Sequence, residues 1–219
     1  MATRPRHSEA ATLETYRVAL DNAEAQPQIA TIMADLGYDS SLIGEGKTLL
    51  ATTCSAYDLN KTEDDETSAA YADFSQKQTD LHDLYSLHRK KAKVIFRNDP
   101  VTAEQLGITG SLPKAYVKWL ETVKKFYSVA TTDSALQSKL GRLKISAEEL
   151  EAAQTKISEL ETARTVYLRE KGESQEATQS KDAAFAKLDD WMSEFYAVAR
   201  IGLEDKPQLL EALGKTVRG

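Results

Sequence analysis

An internal repeat, which pairs each residue with the one 107 positions later, is the feature of this sequence that most restricts its fold. We call this pairing the repeat register. In this register, nine of the thirty residues from Asp80 to Thr109 are identical to their counterparts, where ordinary residue frequencies would give on the order of two. The sequence therefore predicts a tandem duplication of one unit of about 105 residues. The identical pairs are Leu81 and Leu188, Asp83 and Asp190, Ser86 and Ser193, Ala92 and Ala199, Pro100 and Pro207, Glu104 and Glu211, Leu106 and Leu213, Gly107 and Gly214, and Thr109 and Thr216.

Towards the N-terminus of each repeat the alignment is extended with small gaps. Each half then contains an opening helix, a short helix ending in Leu-Gly, a long helical hairpin and a segment that contains proline. We predict repeats over residues 1–110 and 111–219, packed about a pseudo-two-fold axis into one compact, elongated bundle. The gapped pairs are Tyr16 with Tyr116, Leu20 with Leu120, Leu36-Gly37 with Leu140-Gly141, Leu50 with Leu160, and Tyr57 with Tyr167.

Helical periodicity covers nearly the whole chain, and strand signals are almost absent. Apolar side chains recur at steps of three and four residues, which is typical of helices that bury one face. The best strand-like run, Val94-Ile95-Phe96, has no turn residues in front of it. The predicted fold class is all-α, without a sheet of three or more strands. One clear stripe is Ala184, Leu188, Trp191, Phe195, Val198 and Gly202 in the second half, and a similar stripe in the first half, interrupted at Gln78 and Lys91, is Phe74, Leu81, Leu84, His88 and Ile95.

Two antiparallel hairpins are predicted, over residues 40–97 and 147–203. Their turns fall at residues 58–67 and 169–174, where Asn60 and Gly172 are typical helix terminators. One unbroken helix over either span would be roughly 85 to 90 Å long, so two packed helices are the better expectation. Left-handed caps are predicted at Gly37, Gly107, Gly141 and Gly214, and a first helical turn at Pro113.

Composition and charge favour a folded protein of the cytoplasm. The formal net charge of -6 gives no electrostatic footprint for nucleic acid, which we exclude as a partner. Cys54 is the only cysteine, so neither an intramolecular disulfide nor a cysteine-based zinc site can form. Residues 1–7 lack the apolar region of a secretory signal, and no transmembrane segment is predicted.

The segment from Ser41 to Thr48 resembles a phosphate-binding P-loop at its Gly-Lys-Thr end. Ser41 occupies the place of the first glycine, and the preceding segment, 29–36, is predicted to be helical rather than a buried strand. A P-loop needs that strand in order to aim its amides at the phosphates. We therefore predict that neither ATP nor GTP binds through Lys47.

The histidines do not predict a metal site. His82 and His88 are six residues apart and point away from one another on a helix, whereas shared ligands lie best at i and i+4. The repeat register places His88 opposite Phe195, which predicts a buried, neutral ring that tolerates replacement by Phe or Leu. No Glu-x-x-His pair supports a di-iron site, and Cys54 fits an inert thiol.

No catalytic, cofactor-binding or metal-binding site is predicted, and function is inferred mainly by exclusion. The leading hypothesis is a non-enzymatic interaction or scaffold protein, with a protein partner or self-association. The alternative is a small-molecule or metal-binding bundle, which could be an enzyme, with a site between the repeats. Asp83 with Ser86, repeated as Asp190 with Ser193, fits a solvated face better than a repeated polar site. The basic run 88–97 fits a helix C-terminus, and the alternative is contact with an acidic partner or lipid head groups. The ligand-pocket candidates are Tyr85, His88, Trp119 and Trp191.

Overall fold

The computed structural model describes residues 8–216, and every regular element in that range is a helix. The prediction of an all-α protein without a sheet is confirmed for the described part of the chain. Residues 1–7, for which no secretory signal is predicted, lie outside it. The helices are α1 (Glu9–Ala25), α2 (Pro27–Asp35), α3 (Ser40–Ile95), α4 (Pro100–Gln105), α5 (Tyr116–Thr132), α6 (Ser134–Gly141), α7 (Ala147–Gly202) and α8 (Leu209–Ala212).

The order and lengths of the helices recur along the chain. α1 and α5 each have 17 residues, and α3 and α7 each have 56. The first residues of α1 and α5, Glu9 and Tyr116, are paired in the repeat register, as are those of α3 and α7, Ser40 and Ala147. The helices α1, α2 and α3 therefore begin 107 residues before α5, α6 and α7, and the gapped pairings near the N-termini, such as Tyr16 with Tyr116, do not match helix positions.

The predicted hairpins are wrong, because each span is one continuous helix. α3 runs through Asn60 and α7 runs through Gly172 without interruption. A glycine in the middle of a helix costs only about 1 kcal/mol of stability. The tertiary contacts of the helix segments before and after it outweigh that cost. Asn60 is buried and donates to the Thr178 hydroxyl at 3.1 Å, so it stabilises the helix that it was expected to end.

The chain forms two compact units, and each combines parts of both sequence halves. The described part of unit 1 comprises residues 8–65 and 172–216, and unit 2 comprises Glu66–Lys171. Each long helix therefore contributes one half to each unit. A helix of this kind does not need to fold back on itself, since its two halves bury their apolar faces in different cores. The predicted repeat boundary near residue 110 concerns the sequence rather than these units and stays a prediction.

Each unit has its own apolar core, and the two cores use corresponding positions. In the repeat register, buried side chains are matched with buried side chains along the major helices. What recurs is therefore the position of burial rather than the residue type. Such pairs include Leu13 and Leu120, Ala23 and Ala130, Ile29 and Leu136, Met33 and Leu140, Ile43 and Leu150, Leu50 and Ile157, Leu81 and Leu188, Ala92 and Ala199, and Leu106 and Leu213.

Left-handed residues follow several of the shorter helices, as a helix C-terminus often requires. Gly37, Gly107 and Gly214 have φ values of 90°, 66° and 75°, as predicted. Gly141 does not have a positive φ, because it lies within α6, and Lys144 (φ 56°) has the left-handed conformation instead. The predicted position of Pro113 is also wrong, since α5 begins only at Tyr116. In the described residues, no helix combines the length and apolar character needed to cross a membrane.

Candidate functional site

In unit 2, an open cleft with an apolar floor and a basic rim lies where α3 ends. The cleft is formed by the C-terminus of α3 and the turn after α6, and has a volume of about 390 Å³. Val94 is 62% exposed and Leu143 is 37% exposed, so substantial apolar surface faces solvent. The cleft is lined by Val94, Ile95, Arg97, Asn98, Arg142 and Leu143, which we call the basic end surface because it is built on helix ends.

The corresponding positions of unit 1 form a surface of opposite charge. Ile201 is 69% exposed and Leu36 is 44% exposed. Leu36 packs against Gly202, because its Cδ1 atom lies 2.7 Å from where a Cβ on that glycine would stand. Asp35, Leu36, Ile201, Glu204 and Asp205 form the acidic end surface, and all five are exposed.

The charged side chains of both end surfaces are free of partners in the described residues. Asp35, Glu204, Arg97 and Arg142 make neither an ion pair nor a side-chain hydrogen bond within residues 8–216. Their exposure leaves their full charge available to a partner. Such groups give specificity and steer association.

Most of the basic run that precedes Arg97 has a structural role. Arg89 donates to the carbonyl oxygens of Thr109 and Gly110, at 3.1 and 2.8 Å. Lys91 and Lys93 donate to the carbonyl oxygens of Lys144 and Gly110. These cations satisfy carbonyls in turns that follow helix ends, as cations near a helix C-terminus commonly do. Arg97, at the end of the run, is instead exposed in the basic end surface.

His88 is buried in the core of unit 2 and pairs with a tyrosine. Its exposed fraction is 1%, and its Nδ1 atom lies 3.0 Å from the Tyr127 hydroxyl. Burial lowers the pKa of His88, with a smaller opposing effect from Glu149 and a smaller lowering by Lys91. Burial likewise raises the pKa of Tyr127. The pair is therefore a neutral imidazole and a protonated tyrosine hydroxyl that share one hydrogen bond through Nδ1.

Tyr85 lies beside this pair and is also fully buried. Its ring contacts Tyr127 and Phe126 edge to face, with centroids 6.1 and 5.5 Å apart. Burial raises the pKa of Tyr85, and the nearby Arg89 opposes that change. Tyr85 and His88 thus belong to a packed interior, and neither lines any of the clefts described for unit 2.

Trp119 lines a separate cleft of about 550 Å³ in unit 2. The side chain is only 3% exposed, and its indole N–H makes no hydrogen bond within the part of the chain that the structure describes. The His82 ring lies 6.1 Å from the Trp119 ring, between centroids. The other lining residues are Ser75, Gln78, Thr79, Leu112, Pro113 and Lys114, so the lining contains a cation and several donors without a carboxylate.

Trp191 lies in unit 1, where it packs on a glycine rather than on the other candidates. A Cβ on Gly46 would clash with the Trp191 ring, so the indole occupies the space that a side chain would need. Trp191 also lines an open cleft of about 540 Å³ together with Asp190 and Ser193. Asp83 and Asp190 are both exposed, which agrees with a solvated face. Of the four predicted pocket residues, the structure brings together only Tyr85 and His88.

The P-loop-like segment is the first two turns of α3. Its backbone is helical from Ser40 onward, so it does not form the loop that cradles phosphates. The Lys47 ammonium bonds to the Glu24 carboxylate at 2.5 Å and lies 3.2 Å from Asp21. These carboxylates raise the pKa of Lys47, with Glu24 the larger influence. The lysine therefore ties α3 to α1.

Cys54 has the surroundings of an unreactive thiol. It is partly buried in α3, and burial raises its pKa, with a further contribution from Asp58. A raised pKa reduces the fraction of thiolate, which is the form that reacts with electrophiles and binds metals.

The sequence interpretation missed the end surfaces because it used gapped pairings. Gapping Leu36 onto Leu140 separated Asp35 from its counterpart in the repeat register, Arg142. When residues are paired in the repeat register without gaps, and their charges are compared as well as their identities, the pairing identifies both end surfaces. Comparison with known proteins does not add a relative, since no family model, curated protein or solved structure matches this chain.

Proposed function

We propose that this protein is a non-enzymatic interaction or scaffold module of the cytoplasm that works through its two end surfaces. The observation that carries the proposal is the exposed apolar surface in each unit, bordered by charges without partners among the described residues. Exposed apolar side chains with a charged border are typical of protein interaction sites. The single cysteine of the sequence fits a reducing compartment.

We also propose that the two repeats arose by tandem duplication. The constant spacing of the helices supports this, and so does a bridge between helices that recurs with different chemistry. In unit 1, Lys47 of α3 bonds to Glu24 of α1. At the corresponding positions of unit 2, Gln154 of α7 donates to the Thr131 hydroxyl of α5 at 2.9 Å. Equivalent contacts survive a complete change of residue type, as expected of diverged copies.

Two residues in the core of unit 2, His88 and Tyr127, have shifted pKa values, and their surroundings support a structural role. His88 and Tyr127 are paired within the packed interior. A catalytic base needs to reach a substrate, and neither ring lines one of the clefts described for this unit. Their perturbed pKa values follow from burial in the core.

Site-specific photo-crosslinking tests the interaction function. A benzophenone amino acid would replace Val94, Ile201 or, as a control, Leu59, which is an exposed apolar residue outside the end surfaces. We expect intermolecular adducts from positions 94 and 201 in cell extract, and few from position 59. Equal adduct formation at all three positions, or none, would overturn the proposal.

The second candidate function is binding of a small organic anion in the Trp119 cleft, which would place the ligand-binding alternative inside unit 2. The observation in its favour is the buried indole N–H without a partner in the described residues, beside Lys114 and His82. The cleft volume of about 550 Å³ lies in the usual range for small-molecule sites.

Tryptophan fluorescence tests this second candidate. Emission of Trp119 is followed in a Trp191→Phe background during titration with aromatic carboxylates and phosphates. We expect a saturable change that Lys114→Ala weakens, because the ammonium would attract the anion. Emission that stays unchanged over the titration would reject the candidate.

A further inference from the structure

We propose that the partner of each end surface is a second copy of this chain, bound head to tail. The acidic end surface of one copy docks on the basic end surface of the next. This inference rests on the proposed interaction function and names its partner.

Charge reversal at corresponding positions carries the inference. Arg97 and Arg142 border the apolar residues of unit 2, while the matching positions of unit 1 hold Glu204 and Asp35. Asn98 is likewise matched by Asp205. Two surfaces built on the same helix ends thus present opposite charges around the same apolar centre. Opposite potentials across an interface steer association and fix its orientation.

The wider surroundings strengthen the basic side. Lys139 and Lys144 are exposed near the basic end surface, and their counterparts in unit 1, Ile32 and Gly37, are uncharged. One pair reverses in the other direction, Asp99 against Lys206. Asp99 is occupied as the N-cap of α4, where it accepts from the Thr102 backbone and hydroxyl. On the acidic side, Lys206 is one cation beside the three exposed carboxylates of the acidic end surface, so the two surfaces still differ in the sign of their charge.

The apolar centres also differ in a complementary way. Unit 2 has a cleft of about 390 Å³ between Val94 and Leu143. In unit 1, Gly202 stands in place of Ile95, and Leu36 packs over it beside the highly exposed Ile201. The exposed pair Leu36 and Ile201 is the group that a cleft of this kind receives. Burial of these apolar side chains supplies affinity, and the surrounding charges supply selectivity.

The charges favour head-to-tail contact over symmetric pairing. Two basic surfaces, or two acidic surfaces, would bring like charges together, which costs affinity. A head-to-tail contact leaves one surface of each kind unused in a pair of copies, so assembly continues into a closed ring or an open chain. High salt should weaken the assembly because it screens the exposed charges.

Charge-swap variants of the full chain test the inference. The all-acidic variant carries Arg97→Glu and Arg142→Asp, and the all-basic variant carries Asp35→Arg and Glu204→Arg. Each variant copies the residues of the other unit. The control, Lys118→Glu with Lys156→Glu, makes the same change in net charge as the all-acidic variant at exposed lysines outside the end surfaces. Circular dichroism and thermal unfolding verify that each variant is folded.

Sedimentation velocity is measured from about 1 µM to about 1 mM, where weak interfaces dissociate. We expect wild type and control to associate with rising concentration, and each charge-swap variant to associate at least about tenfold more weakly. An equimolar mixture of the two variants should recover association. Recovery is the decisive result, since general loss of folding or solubility cannot produce it.

Two results would overturn the inference. The first is a wild-type protein that stays monomeric over the whole range, and the second is a mixture that does not recover association. If position 94 or 201 still cross-links to other proteins in cell extract, the interaction function stands and only the identity of the partner is wrong. If those cross-links are also absent, both proposals fail.

Discussion

The interiors of the two units fill corresponding buried positions with side chains of different chemistry. Unit 2 has the hydrogen-bonded pair His88 and Tyr127, with Tyr85 beside it. At the matching positions of the repeat register, unit 1 has Phe195, Leu20 and Met192, and these are fully buried as well. The same helix positions therefore accept either a polar pair or apolar side chains throughout.

This difference teaches that the pair in unit 2 is not required by the fold. A buried polar group is tolerated when its partner is present, and an apolar group needs none. The pair in unit 2 must therefore change together, whereas each apolar residue in unit 1 can vary alone within its volume. We therefore expect the two cores to differ in the energetic coupling between these residues rather than in their stability.

The largest effect is expected for Phe195→His, which moves one member of the pair into the apolar core. It replaces a buried phenyl ring by an imidazole in a core that has Leu20 where unit 2 has Tyr127. We expect a loss of about 3–5 kcal/mol, from lost packing and an unpaired ring nitrogen. Denaturant unfolding measures it. Adding Leu20→Tyr should recover part of the loss, and equal stability of the single and double variants would contradict the comparison.

The second prediction concerns Gly46 and Trp191 in unit 1, whose counterparts in unit 2 are Ala153 and Leu84. Gly46→Ala should destabilise the protein by about 1–3 kcal/mol, because the added methyl group meets the indole ring. Better helix propensity offsets up to about 1 kcal/mol of that cost. The free energy of unfolding in denaturant measures the net effect.

The double variant Gly46→Ala with Trp191→Leu copies the pair of unit 2 and serves as the control. The smaller leucine should accommodate the alanine, so the two substitutions should be less destabilising together than the sum of their separate effects. A double-mutant cycle measures this coupling. Additive effects would show that Gly46 is not needed to make room for the Trp191 ring.

The third prediction is His88→Phe, which copies unit 1 into unit 2. The sequence alone predicted a tolerated change, but the structure shows that the Tyr127 hydroxyl would lose its partner. An unsatisfied buried hydroxyl costs about 1–3 kcal/mol, partly offset by the apolar ring. We expect a net loss of about 1 kcal/mol near pH 7.5, most of it recovered with Tyr127→Phe.

The pH dependence of unfolding gives His88→Phe a second measurement. Because burial lowers the folded pKa of His88, the unfolded chain takes up the proton first as pH falls below about 6.5. The stability associated with the neutral ring is thus present above that pH and is lost as pH falls through the folded pKa. Wild type should therefore lose more stability between about pH 7.5 and 5.5 than His88→Phe does. Equal losses would remove the buried, neutral assignment.

The sequence predicts the helical class well, because apolar spacing is a local signal. It fails at Asn60 and Gly172, where tertiary contacts in two units outweigh local terminators. It places His88 in the core through Phe195, but it cannot supply Tyr127, whose hydroxyl comes from another helix. The end surfaces depend on residues far apart in sequence, so they required the helix ends to be located first.

The smallest effect is expected where the two units bridge the same helices differently. Glu24→Thr with Lys47→Gln replaces the ion pair of unit 1 by the pair found in unit 2, Thr131 and Gln154. An exposed ion pair contributes only about 0–1 kcal/mol, so the double variant should unfold within about 0.5 kcal/mol of wild type. Lys47→Gln alone should cost more than the double variant, because it leaves Glu24 beside Asp21 without the cation.

Nucleotide titration tests the role of Lys47 directly. Isothermal titration of wild type with ATP and GTP should give no binding heat. Micromolar affinity abolished by Lys47→Gln would mean that the lysine serves a phosphate rather than a helix contact.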